Sequence, residues 1–378
     1  MGEIEIGLGK AGRRGYGLDE LTIVPSRRTR DAELVDLSWE LQGYRFELPV
    51  IAAPCDSVVS PANAAGFDEL GGLAVLDLEG LWTRYADPEP VLEEIAALPD
   101  DTASARLREL YAQPVDPDLV VERIRAIRAS GAVAAGSVTP QRIESLLPRL
   151  VEAELDLLVI RATVLSAEHV TKSSADGEEP LNLKTFIRQL DVPVVVGACT
   201  SYQAALHLMR TGAAAVLVGV GTAVDATTAE TFGVGVPLAT ALADARAARM
   251  RHLDETGVYV HLIADDGMHT GGDVARAIAC GADAVMLGSP LAGATDAPGR
   301  GRHWAPVAAR ADVPHSACVR IPQRGTQRQV LVGPSDSSEG RLDLMGSLRS
   351  AMALSGYETL KEFQKAELMV SPEGRGRS

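Results

Sequence analysis

The chain has 378 residues, 46% of them hydrophobic and only 4% aromatic, and carries a formal net charge of −15 with a pI near 5.0. A protein whose partner is a polyanion needs a basic face, so this balance argues against nucleic acid and anionic membrane as partners. It still allows a single phosphate held locally by backbone amides.

The opening MGEIEIGLGKAGRRGYG has no apolar stretch of signal-peptide type. It begins Met-Gly, but Ile6 stands where a myristoylation signal needs Ser or Thr. No run of 18 apolar residues suggests a membrane span. Cys55, Cys199, Cys280 and Cys318 have the spacing of neither a zinc site nor a disulfide framework, so no metal site is assigned. The expectation is a reduced cytoplasmic protein.

Short β-rich runs recur, each followed by a helical pattern. The predicted strands are Glu47–Pro54, Gly72–Leu78, Ala132–Val138, Leu155–Ala162, Val192–Cys199, Ala214–Gly221, Tyr259–Asp266 and Ala284–Ser289. They are near-continuous apolar runs rather than alternating ones, as in parallel strands buried on both faces. Between them, Thr139-Pro140 reads as N-cap and first residue of a helix that Pro148 kinks or ends. Ser201 reads as the cap of YQAALHLMRTG with Gly212 as its stop, and Asp273 as the cap of VARAIACG, ended by Gly281. Eight strands alternating with helices predict a single α/β domain, a (β/α)8 TIM barrel over residues 1–378. A doubly wound sheet is the alternative, but it more often has five or six strands. Residues 79–130 read as an insert of two or three amphipathic helices. Residues 293–340, rich in Gly, Pro, Arg and Ser, read as a long mobile loop.

Barrel active sites lie at the C-terminal strand ends, and phosphate sites form after strands seven and eight. Strand seven finishes Ala264-Asp265-Asp266-Gly267 and strand eight Leu287-Gly288-Ser289. A carboxylate at Asp265 could accept two hydrogen bonds from a ribose diol, or it could cap the next helix. His261 and His269 bracket strand seven, the second just past the turn.

IADDGMHTGGDVARAIACGADAVMLGSPLAGATDAPG, ELPVIAAPCDSVVSP, GGLAVLDLEG, GAAAVLVGVG and MGSLRSAMALSGY resemble, in order, the motifs of the IMP dehydrogenase/GMP reductase family. The whole pattern is similar to the IMP dehydrogenase-related subgroup without CBS modules that is common in actinobacteria. The resemblance implies a purine nucleotide of IMP or GMP type as substrate and NAD or NADP as cofactor. It also implies a potassium ion held by the catalytic loop, and a homo-oligomer, commonly a tetramer. Residue by residue, it gives Asp265 to the ribose hydroxyls and Gly267, Gly288 and Ser289 to the 5′-phosphate. Gly219 and Gly221 shape the catalytic loop, and Thr228 lies close to the reacting base. Ala53 and Cys55 fall where a Ser and a Met touch the purine, and Cys199 where an Asn often lies.

The departures fall on the chemistry. The cysteine nucleophile position is Ala226, and a methyl group cannot attack purine C2. Asp225 precedes it, as a general base or as a solvated carboxylate. Val224 replaces a phosphate-binding Ser, and Asp266 replaces a glycine. Arg161 stands where the family carries an Asp that meets the cofactor ribose, although an Arg can accept a 2′-phosphate. Cys55 and Cys199 lie at strand ends, as substitute nucleophiles or as small buried hydrophobes. Three functions follow: a purine nucleotide oxidoreductase, a nucleotide-binding pseudoenzyme, or altered chemistry that recruits Asp225 or Cys199.

Overall fold

A computed structural model describes residues 4–169, 181–220, 228–265, 267–305 and 317–371. All eight predicted strands form, in order. They are β1 (Val50–Ala52), β2 (Leu73–Asp77), β3 (Ala135–Val138), β4 (Leu157–Arg161), β5 (Val194–Cys199), β6 (Ala215–Val218), β7 (His261–Asp265) and β8 (Ala284–Leu287). Each pairs in parallel with its sequence neighbours, and β8 pairs with β1, closing the barrel. Val285 stands beside Val50, Met286 beside Ile51 and Leu287 beside Ala52. The apolar runs are explained by burial: every residue of β1, β2, β3, β5, β6 and β8 is buried. At about 1.5–3 kcal/mol for each large aliphatic side chain taken from water, the strand layer is a principal source of stability.

The surrounding helices begin with α1 (Pro61–Glu69), capped by Ser60. The insert after β2 holds α2 (Glu89–Ala97), α3 (Asp100–Tyr111) and α4 (Pro117–Ala129). Then come α5 (Ile143–Glu152), α6 (Leu183–Ile187), α7 (Tyr202–Met209), α8 (Thr228–Phe232), α9 (Leu238–Thr256), α10 (Gly271–Ala279) and α11 (Ser289–Ala292).

Helix boundaries differ from expectation where a side chain is engaged elsewhere. Thr139 does not cap α5, because its N–H and hydroxyl both donate to the Glu79 carboxylate, at 2.6 and 3.2 Å. The helix starts at Ile143 and continues through Pro148. Ser201 caps α7 as expected, accepting from Ala204 N at 3.2 Å. Asp273 is not the cap of α10 but its third residue; Thr270 is the cap, in a reciprocal capping box with Asp273.

The segment after β8 is not the irregular loop that its composition suggests. Its described part carries α11, an antiparallel pairing of Arg302–His303 with Val319–Arg320, and α12 (Gln327–Val332). Arg302, His303 and Trp304 are all buried. Helices α13 (Leu344–Leu354) and α14 (Leu360–Phe363) follow, and Leu368–Val370 pairs with Leu21–Ile23. No helix among the described residues is long and apolar enough to cross a membrane.

A buried polar cluster ties this C-terminal region to the barrel bottom. Asp283, just before β8, accepts from Arg249 at 2.7 Å, Tyr259 OH at 2.7 Å, Gln364 at 2.9 Å and Leu262 N at 2.9 Å. His261, at the N-terminal end of β7, faces this cluster 3.8 Å from Asp283. It therefore lies at the opposite end of the barrel from the mouth. Removing one partner of a buried ion pair strands the other charge. Asp283→Ala should lower stability by about 3–5 kcal/mol, read as a fall in melting temperature, and Asp283→Ala combined with Arg249→Met should recover part of that loss. Additive losses in the double variant would refute this account of the cluster.

Candidate active site at the barrel mouth

The C-terminal ends of β1, β4, β7 and β8 surround one pocket. Its lining includes Ala53 and Cys55 after β1, Arg161 at the end of β4, and Asp265, Gly267, Met268 and His269 at and after β7. Met286, Gly288, Ser289, Pro290, His303 and Ala305 complete it from β8 onward. Closure of the barrel makes these neighbours: Ala53 N donates to Leu287 O at 3.0 Å. The turn after β7 needs Gly267, whose φ of 62° lies in the left-handed region. Since Thr270 caps α10, Asp265 is left free of that task.

Asp265 has another partner instead. Across the mouth, Arg161 Nε and Nη2 donate to Asp265 Oδ2 at 3.1 and 3.0 Å. The Asp265 side chain is 9% exposed and that of Arg161 28%. Burial opposes the guanidinium charge most strongly, but the Asp265 carboxylate, with Cys55 and Asp77 adding to it, holds Arg161 more firmly protonated. Both donors fall on one oxygen, and no hydrogen bond reaches Oδ1 among the described residues.

Of the predicted site residues, Asp265, Gly267, Gly288, Ser289, Ala53 and Cys55 converge here. Cys199 ends β5, is 1% exposed and does not line the pocket. Gly219 follows β6 with a φ of 141° and donates its N–H to Cys199 O at 2.9 Å. Thr228 is the first residue of α8. Gly221, Val224, Asp225, Ala226 and Asp266 lie outside the described residues. His269 lines the pocket, and its backbone N–H donates to Asp273 Oδ2 at 3.0 Å.

Sequence reasoning missed His303. It lies within the run read as a mobile loop, although Arg302-His303-Trp304 is a dense patch of long and aromatic side chains in that Gly- and Pro-rich stretch. Long-range contacts place it. Arg302 Nη1 lies 2.6 Å from Asp100 Oδ1 of α3, and Trp304 Nε1 donates to Tyr111 OH of α3 at 3.0 Å. Tyr111 in turn donates to Asp56, which follows Cys55. Burial raises the Asp56 carboxyl pKa to about 6 against the hydrogen bonds from Tyr111 and Leu81 N.

Residues 15–305 match the family model of the IMP dehydrogenase / GMP reductase domain. The chain belongs to the IMP dehydrogenase/GMP reductase family. An uncharacterized oxidoreductase of Mycolicibacterium smegmatis is 51% identical over 376 residues, covering 97% of this chain and 99% of that one. An uncharacterized oxidoreductase of Mycobacterium tuberculosis is 50% identical, with the same coverage. A crystal structure of an IMP dehydrogenase/GMP reductase-like protein from Corynebacterium glutamicum superposes with a TM-score of 0.91 at 42% identity, covering 98% of both chains.

For a member of this oxidoreductase family the state of its thiols matters. Burial pushes the Cys55, Cys199 and Cys280 thiols up to about 12 and Cys318 to about 11. Arg161 pulls Cys55 down and Asp77 pushes it up, but burial dominates. A thiol of pKa near 12 is ionised on the order of one part in ten thousand at pH 8. All four cysteines should therefore resist iodoacetamide at pH 8 in the native protein and react after unfolding. Rapid native labelling of Cys55 or Cys199, read by peptide mass spectrometry, would show a usable thiolate and overturn this assignment.

Proposed function

We propose that the barrel mouth binds a purine nucleoside 5′-monophosphate of IMP or GMP type, and that through it the chain serves the purine nucleotide oxidoreduction of its family. One observation carries the reading: Asp265, Gly267, Gly288, Ser289, Ala53 and Cys55, given by resemblance to ribose, phosphate and base, share one pocket. The phosphate would lie over the loops after β7 and β8. The ribose diol would use Asp265, with Oδ1 accepting directly and Oδ2 shared with, or taken from, Arg161.

The described residues offer no carboxylate for the cofactor ribose at the end of β4, which counts against NAD there. Where the resemblance calls for a ribose-binding carboxylate, Arg161 presents a cation already bound to Asp265. Residues 221–227 of the loop given to a potassium ion lie outside the described residues, and no group of three or more His, Cys, Asp or Glu that could hold a metal ion occurs among the described residues.

A second reading, a nucleotide-binding regulator without turnover, is favoured by a specific observation. Ala226 occupies the nucleophile position, and burial disfavours the thiolate at Cys55 and Cys199, the two cysteines at strand ends. A homo-oligomer suits either reading, because the N-terminal hairpin, in which Ile4–Gly7 pairs antiparallel with Lys10–Gly12, leaves Ile6 72% exposed and Leu8 fully exposed.

Binding and turnover are separable by experiment. Purified protein should melt at higher temperature with IMP or GMP, while Asp265→Asn should reduce nucleotide affinity by roughly tenfold. Nicotinamide absorbance with IMP plus NAD, or GMP plus NADPH, then decides between the readings. Turnover that survives at wild-type Ala226 supports the oxidoreductase. Stabilisation without turnover, with activity gained by Ala226→Cys, supports the regulator. If no purine nucleotide stabilises the protein, both fail.

A further inference from the structure

His303 is a pocket residue that no motif predicts, and its surroundings fix its chemistry. It follows Arg302 in a short strand, where successive side chains leave on opposite faces. Arg302 and Trp304 are held by Asp100 and Tyr111 of the insert, and His303 turns the other way, onto the barrel rim. There its Nδ1 lies 2.8 Å from Ser57 Oγ. The approach depends on Gly299, where a Cβ would stand 2.6 Å from Ser57 Cβ and 2.2 Å from Arg302 O.

Ser57 is fully buried, and among the described residues its hydroxyl has one hydrogen-bond partner, His303 Nδ1. A buried hydroxyl proton without an acceptor is costly, so the O–H donates to Nδ1. That leaves the ring proton on Nε2. Nε2 has no hydrogen-bond partner among the described residues and faces Gly288, where a Cβ would stand 3.6 Å from it. His303 is 4% exposed and lines the pocket beside Ser289. Burial lowers its pKa to about 4, so it stays neutral at physiological pH. The site therefore contains a buried, fixed, uncharged N–H donor aimed at the loop after β8, where barrel phosphate sites form.

We propose that His303 is a phosphate-binding residue of this site: its Nε2–H, held in that tautomer by Ser57, donates to an oxygen of the 5′-phosphate over Gly288 and Ser289. The proposal rests on the nucleotide reading above and adds a residue to it. A neutral donor suits a place where Arg161 already carries a charge, because it contributes direction without a second buried cation that would need a counter-ion.

Calorimetric titration of the full chain with IMP, GMP and inosine tests it. His303→Ala should weaken IMP or GMP binding by about ten- to a hundredfold and leave inosine unchanged. His303→Gln, whose amide nitrogen reaches the Nε2 position, should recover most of the loss. Equal affinity in wild type and His303→Ala overturns the proposal. So does an equal loss in the Ala and Gln variants, or a loss for inosine as large as for IMP. If wild type binds neither nucleotide, the nucleotide reading itself has failed. Should His303→Ala not fold, 15N-resolved NMR of the wild-type ring decides. A proton on Nε2 whose resonance moves with IMP and not with inosine supports the assignment, and a proton on Nδ1 or an unmoved resonance overturns it.

Discussion

The hydrogen-bonded closure of β8 onto β1 is the constraint from which the site follows. Val50 and Val285 are 235 positions apart in the chain, yet they are paired neighbours, and the ladder ends where Ala53 N meets Leu287 O. A closed sheet has no free edge, so every strand end is fixed relative to every other. Cys55 and Ala53 therefore share the pocket lining with Gly288 and Ser289. The same geometry sets Arg161 of β4 opposite Asp265 of β7, three strands away around the ring, with the mouth between them.

That cross-mouth pair changes the electrostatics a nucleotide would meet. At 3 Å and an effective dielectric near 20 the gross attraction is about 5 kcal/mol, and desolvation offsets much of it for groups this buried. The net worth is small, yet the pair is directional. It removes the negative charge that Asp265 alone would present to a phosphate, in a protein that carries −15 overall. It also sets the ribose in competition with a guanidinium for Oδ2. Binding is thus eased at one end of a nucleotide and contested at the middle.

The fold was legible because parallel barrel strands are buried on both faces and so must be apolar throughout, a requirement visible in single sequences. Asp265, Gly267, Gly288 and Ser289 were legible for a related reason: a polar or glycine residue directly after such a run marks the rim. What failed to show depends on partners distant in sequence. Thr139 looks like a cap until Glu79, 60 residues earlier, takes its hydroxyl. Asp273 and Thr270 both suit a cap by residue type, and the geometry of the capping box chooses between them. The stretch after β8 has the composition of a loop, and its Arg302 and Trp304 are held by Asp100 and Tyr111 in the insert. Local sequence carries no trace of such contacts.

The insert and the segment after β8 consequently act as one support. Tyr111 receives a hydrogen bond from Trp304 and gives one to Asp56, so three parts of the chain meet at a single hydroxyl. Asp56 adjoins Cys55 on one side and Ser57 on the other, and both neighbours reach the mouth: Cys55 as lining, Ser57 through His303. The insert contributes none of the lining residues given above, yet it fixes the strand that carries His303 on one face and the β1 loop that orients its ring on the other. A side chain anchored from both sides in this way has little rotamer freedom left to lose when a ligand arrives. The helices of residues 79–130, remote from the barrel axis, are in this sense part of how the mouth is built.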